Sequence, residues 1–227
     1  RKGNYFIQGS ALHTGVTIPA SVEVIFESSA NVHNKGDRTI FSSSGTIRNL
    51  QLNVSSMSGK AAITLGTNAR LYNTINQNIL FGTNGVASGL YSVNEASNVL
   101  VDGMINRVIV STVNGGATTG RPSKFFIQNS SGVTFNNIID EQPPSMALGG
   151  SISDSQFCLV GEVNGLTIQN SKFKTMGNFF HSQNLDKFAG LKMFNVEAEL
   201  FATNGINDYF GFSMGATDRF QSVSFEN

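Results

Sequence analysis

The 227 residues predict an all-β fold, a single-stranded right-handed parallel β-helix of about eight coils. Three observations lead there. A unit of small residue, apolar, any, apolar, any, Asn recurs, as in "SSGVTFNN" (130–137), "VNGLTIQN" (163–170), "FAGLKMFN" (188–195) and "FQSVSFEN" (220–227). Short strand-forming runs alternate with Asn/Gly/Ser turns, and no 3.6-residue periodicity is sustained. Gly numbers 24 and Asn is as frequent; both tolerate left-handed backbone, so tight turns abound.

Taking the elements in order, each repeat is read from its first apolar residue. These anchors are Val22, Leu50, Leu71, Val99, Val133, Leu166, Leu191 and Val223. They lie about 29 residues apart on average, within the range of stacked repeats. An earlier partner strand precedes each anchor, at 16–18, 39–41, 62–65, 90–93, 125–127, 156–160, 178–180 and 209–212. A weaker third strand follows some of them, at 107–110, 172–176 and 197–201. Variable repeat length with a fixed internal order fits a coil whose turns lie parallel on one another. At ~4.8 Å per strand, eight coils make a rod of roughly 38 Å. The chain reads as one domain, residues 1–227, with N-terminal coils over 1–45 and regular coils over 46–227. Its start without Met and its end in mid-pattern lead us to expect a fragment of a longer chain.

Strand alternation points each anchor and the residue two further on inward. Only Asn73 breaks these columns. The earlier strands offer Ile40, Phe126, Phe157, Phe180 and Phe210 to a Phe-rich stack, and Cys158 reads as a small core residue. Four residues after the anchor come Asn137, Asn170, Asn195 and Asn227, with Gly103 in the same column. A stacked amide ladder, Asn137 on Asn170, is expected, with sugar or metal binding as the functional alternative. Arg107, Glu141, Lys174 and Glu199 share a column of alternating sign, which predicts solvated ion pairs, with a substrate groove as the functional alternative.

Net charge is zero, from 15 basic and 15 acidic residues with no basic run, so nucleic acid is not expected as a partner. No apolar stretch approaches the ~18 residues of a membrane span, so membrane insertion is not expected either. A single Cys forms no internal disulfide. No phosphate loop, nucleophile elbow or His-rich motif is present, and no cofactor or metal is expected. Trp, a common sugar-stacking side chain, is absent; Tyr91, Tyr209 or an exposed Phe would replace it.

The units "SGVTFNN" and "NGLTIQN" resemble coils of the pectate-lyase-like right-handed β-helix superfamily. The opening "GSALHTGVTIPASVEVIFESSANVH" (9–33) resembles the first coils of bacteriophage tailspikes in that superfamily. The resemblance covers nearly the whole chain, but its motifs report architecture. It implies a homotrimer in a phage tail (virion) or another extracellular setting, binding and often cleaving a bacterial surface polysaccharide, capsule or O-antigen. No copy of the lyases' calcium-site or arginine motifs is present.

In a solenoid, insertions map to loops on one face, often the binding face. The long ones here are 111–124, 140–156 and 202–209. Glycoside hydrolysis needs two carboxyl groups at roughly 5–5.5 Å or 6.5–9.5 Å, and adjacent coils supply such spacings. The expected catalytic pair is Glu141 with Asp154, with Asp208 next. A lyase would take its base from His181, Lys172 or Tyr209. Arg121, Lys124, Lys172, Lys174 and Tyr209 are the expected substrate contacts. The competing functions are a non-catalytic stalk or adhesin segment and a free-standing pectate-lyase-like lyase.

Overall fold

The computed structural model describes residues 15–27, 31–35, 39–55, 61–82, 89–112, 123–141, 155–175, 179–200, 212–213 and 220–226. The described residues are all-β. Among the described residues, sixteen strands join in one hydrogen-bonded system, every pairing is parallel, and there is no helix. Each repeat pairs with the repeats before and after it, strand upon equivalent strand. Three arms result. The first runs through Val16–Ile18, Phe41–Ser43, Ile63–Leu65, Gly89–Asn94 and the starts of Ser123–Asp140, Ser155–Asn164 and Phe180–Leu200. The second contains the recurring Asn unit, and the third follows it, often within one continuous strand such as Ser97–Thr112.

The second arm has the register expected from Val99 onward. Its inward column is Val24, Ile47, Leu71, Val101, Phe135, Ile168 and Met193. Leu71 therefore stands where the residue after next to an anchor belongs, and the anchors of the two preceding repeats are Ala69 and Gly45. Leu50 and Leu52, read as anchor and partner, belong to the third arm, where Leu52 pairs with Asn76. Both are fully buried, so they fill the core as expected but from another side. Val22, expected inside, is exposed at the first repeat.

This shift explains Asn73. It does not break an apolar column; it continues the turn column. Asn49, Asn73, Gly103, Asn137, Asn170 and Asn195 all have φ between 50° and 71°. A second left-handed corner comes just before the anchor, at Asn68, Asn98, Gly132, Gly165 and Gly190, and a third at Glu95, Asn129 and Gly161. Asn and Gly enter this region at least cost, so the abundance of both residues is the chemistry of stacked corners.

The core is a file of rings. Phe41, Ile63, Tyr91, Phe125, Phe157 and Phe180 lie in one first-arm column. Phe125 and Phe157 stack at 5.0 Å between centroids, and Phe157 also meets Phe135, Phe173, Phe179 and Phe180 within 5.7 Å. Of the expected members, Phe157 and Phe180 are in this column, while Phe126 gives way to Phe125 because alternation turns Phe126 outward. Ile40 is buried one position before Phe41, and Phe210 lies outside the described residues. Cys158 is fully buried, as the apolar run around it predicts.

Candidate functional site

The outward side of the second arm carries one residue per repeat in the order Ile25, Arg48, Tyr72, Asp102, Asn136, Gln169 and Phe194. Parallel register spaces them by one strand separation, ~4.8 Å. The middle of this row is a directed hydrogen-bond chain. Gln169 Nε2 donates to Asn136 Oδ1 at 3.2 Å, and Asn136 Nδ2 donates to Asp102 Oδ1 at 2.9 Å. The corner amides join from the side: Asn137 donates to Asp102 Oδ1 at 2.8 Å, and Asn170 to Asn136 Oδ1 at 3.0 Å. Asn195 donates to Asn170 at 3.1 Å and Asn73 to Asn49 at 3.5 Å. The ladder expected from Asn137 to Asn170 thus runs instead through Asn136, and its corner amides are exposed.

An aromatic ring bounds the row on each side. Phe194 is 47% exposed, and Tyr72 is half-buried with the Arg48 guanidinium 4.1 Å above its ring. Arg48 is itself tied to Glu23 at 2.6 Å. A parallel outward column holds Thr134 and Thr167 beside Asn136 and Gln169. Primary amides have two N–H groups, and the row uses one of each, so donors remain for a hydroxyl-rich partner.

At the corner leading into this face, Asn129, Ser130, Ser131, Glu162, Asn164 and Asp186 line an open polar depression of about 460 Å³. Asn129 Oδ1 accepts from the Glu162 backbone N–H at 3.1 Å, which holds one wall. Glu162 and Asp186 are both exposed. Among the described residues, no group of three or more His, Cys, Asp or Glu side chains is placed to hold a metal ion.

The residues singled out in the sequence are dispersed. Glu141 lies on the outer side of the third arm, and its carboxylate takes 2.7 and 3.5 Å bonds from Arg107. That guanidinium holds the Glu141 carboxyl below its ordinary value, which disfavours Glu141 as a proton donor. The ion pair is the one the alternating charge column predicts. Lys172 is bonded to Glu197 at 2.8 Å, which raises the lysine's pKa. Lys174 is half-buried, in register with Glu199, and His181 is half-buried opposite Cys158. Lys124 departs most from expectation. It is fully buried against Asp140, so it faces the core rather than a substrate. Arg121, Asp154, Asp208 and Tyr209 lie outside the described residues. The outward amide row is absent from the sequence expectations, which concern the inward columns; its signal is the residue before each corner Asn or Gly, Asp102, Asn136 and Gln169.

No protein-family model matches the chain, and no curated protein is similar to it. Among solved structures, it is similar to one from Parabacteroides merdae ATCC 43184 described as a "putative glycosyl hydrolase". The TM-score is 0.47 at 14% identity, over 78% of this chain and 80% of that one. A likeness of that size carries no argument about fold or activity.

Proposed function

We propose that the chain is a right-handed parallel β-helix of about eight coils, part of a trimeric phage tailspike or tail fibre that binds a bacterial surface polysaccharide. The observation that supports this reading best is the outward row from Tyr72 to Phe194. It presents amides, a carboxylate and flanking hydroxyls at strand spacing, with a ring on either side. An extended glycan offers hydroxyls at regular intervals and flat apolar sugar faces, which such a row complements. The neutral overall charge and the absence of basic runs fit a ligand other than nucleic acid. Depolymerisation is the extended form of the proposal. Its carboxylates would come from Glu162 and Asp186 in the depression, or from Glu141, Asp154 and Asp208.

The test is to incubate the full-length protein with a panel of purified bacterial capsular polysaccharides and O-antigens. Binding is measured first, then new reducing ends or unsaturated products. The proposal expects at least one member to bind. Products from that member would establish the enzyme, whereas binding without products would leave the adhesin form. No binding to any member would remove the reading.

A further inference from the structure

Both members of one buried ion pair belong to the strand Ser123–Asp140, Lys124 on its first-arm part and Asp140 at its third-arm end. Lys124 Nζ lies 2.5 and 2.6 Å from the two Asp140 carboxylate oxygens, and both side chains are 0% exposed. Near-equal approach to both oxygens sets Nζ within about 3 Å of Asp140 Cγ, a near-attack distance. Apolar side chains close the site. Leu90 precedes Lys124 in its column and Phe173 follows Asp140 in its own, and both are fully buried. Gln156 stands beside Lys124 in the following repeat; its Nε2 donates to Asp140 Oδ2 at 2.7 Å and to the Lys174 carbonyl at 2.5 Å. In the exposed pairs Arg48–Glu23, Arg107–Glu141 and Lys172–Glu197, water helps to maintain both charges. Here desolvation pushes the Asp140 carboxyl above its ordinary value, against the opposing charge of Lys124.

We propose that Lys124 and Asp140 condense into an intramolecular isopeptide bond. Burial favours the neutral pair, so a proton passes from Nζ to Oδ1 and leaves an amine against a carboxylic acid. The Nζ lone pair then attacks Cγ, and the π pair of the Cγ–Oδ2 bond moves onto Oδ2. The Gln156 N–H already aimed at Oδ2 stabilises that developing charge, so Gln156 acts as a positioning and polarising residue. A second proton passes from Nζ to Oδ1, the Cγ–Oδ2 double bond re-forms, the Cγ–Oδ1 bond breaks, and water leaves. The product is an Nζ–Cγ amide with one N–H, and no oxidant, reductant or other reactant is consumed. In bulk water this condensation runs uphill. Held contact removes its entropic cost, and exclusion of solvent protects the amide from hydrolysis. Gln156 Oε1, Ser123 Oγ and Asn106 Nδ2 are buried without a protein partner, and their residues adjoin Lys124 or Asp140 in sequence or register. They offer the departing water polar groups to follow. The bond ties the first arm to the third across the core of a single repeat, and so closes residues 124–140 into a covalent ring.

Intact-mass spectrometry of the full-length protein, denatured before injection, tests the bond. The parent should weigh one water less than its sequence, and a protease digest should yield a branched peptide joining Lys124 to Asp140. Lys124→Met and Asp140→Ala should both keep the full sequence mass. Gln156→Leu, followed in time from cell-free synthesis, should lose the water about a hundredfold more slowly than the parent. A parent that is folded by circular dichroism yet stays at its sequence mass would overturn the inference. So would a loss of water that persists in Lys124→Met. Condensation of Gln156→Leu at the parent's rate would overturn the role given to Gln156.

Discussion

At the scale of single residues, the fold depends on positions that tolerate left-handed backbone or leave no room for a side chain. Gly165 has φ 68°, but a Cβ there would only touch the Gly132 backbone at ordinary contact distance. Gly45 is different: a Cβ would overlap the backbone carbonyls of Pro19 and Val22. Gly165→Ala should therefore cost about 1 kcal/mol, from conformation alone. Gly45→Ala should cost about 2–3 kcal/mol, since backbone must move. Urea melts of the two variants check the order, and the reverse order would refute the packing argument. Asn170 separates the two roles of a corner amide. Asn170→Gly keeps the φ of 50° accessible and loses the bonds to Asn136 and Asn195. Asn170→Ala loses both. The alanine variant should melt lower, by roughly 1 kcal/mol of stability. Equal melting would assign the whole effect to the hydrogen bonds.

At the scale of strands, alternation made most of the architecture readable. From Val99 on, the apolar-any-apolar-any-Asn unit has one register because its anchors are large enough to see: Val99, Val133, Leu166 and Leu191. In the earlier repeats the anchors are Gly45 and Ala69, and a composition rule that looks for bulky residues passes over them. The third-arm pair Leu50 and Leu52 has the same alternation and stood in for the missing anchors. The Asn at the corner was the better guide, because Asn49 and Asn73 obey backbone geometry rather than side-chain volume. Phe125 and Phe126 pose a similar ambiguity, as neighbouring Phe residues give no sign of which faces inward until register with Tyr91 and Phe157 is known. Phe157→Ala should lose about 3–5 kcal/mol, as Phe157 touches five other rings. Phe126→Ala, on a half-buried outward side chain, should lose about 1 kcal/mol. Similar losses in denaturant melts would contradict the inward column.

At the scale of the whole molecule, function was less legible than fold, because the candidate face is built from residues that each look like ordinary surface. Asp102, Asn136 and Gln169 acquire meaning only when parallel register brings one from each repeat into a line. Charged residues are the conspicuous candidates in the sequence, but Glu141, Lys172 and Lys124 are engaged by Arg107, Glu197 and Asp140. Pairing of this kind depends on which repeats are neighbours, and spacing along the chain does not reveal it. The proposal also expects a homotrimer, and sedimentation equilibrium of the full-length protein should return three times the chain mass; monomer mass would refute that part. The central claim is tested most directly by titrating the polysaccharide that binds the parent against Asn136→Ala/Gln169→Ala. Loss of the row's donors should weaken binding by about tenfold or more, at about 1 kcal/mol per hydrogen bond, with the fold retained by circular dichroism. Unchanged affinity in a folded variant would show that the glycan does not lie on this face.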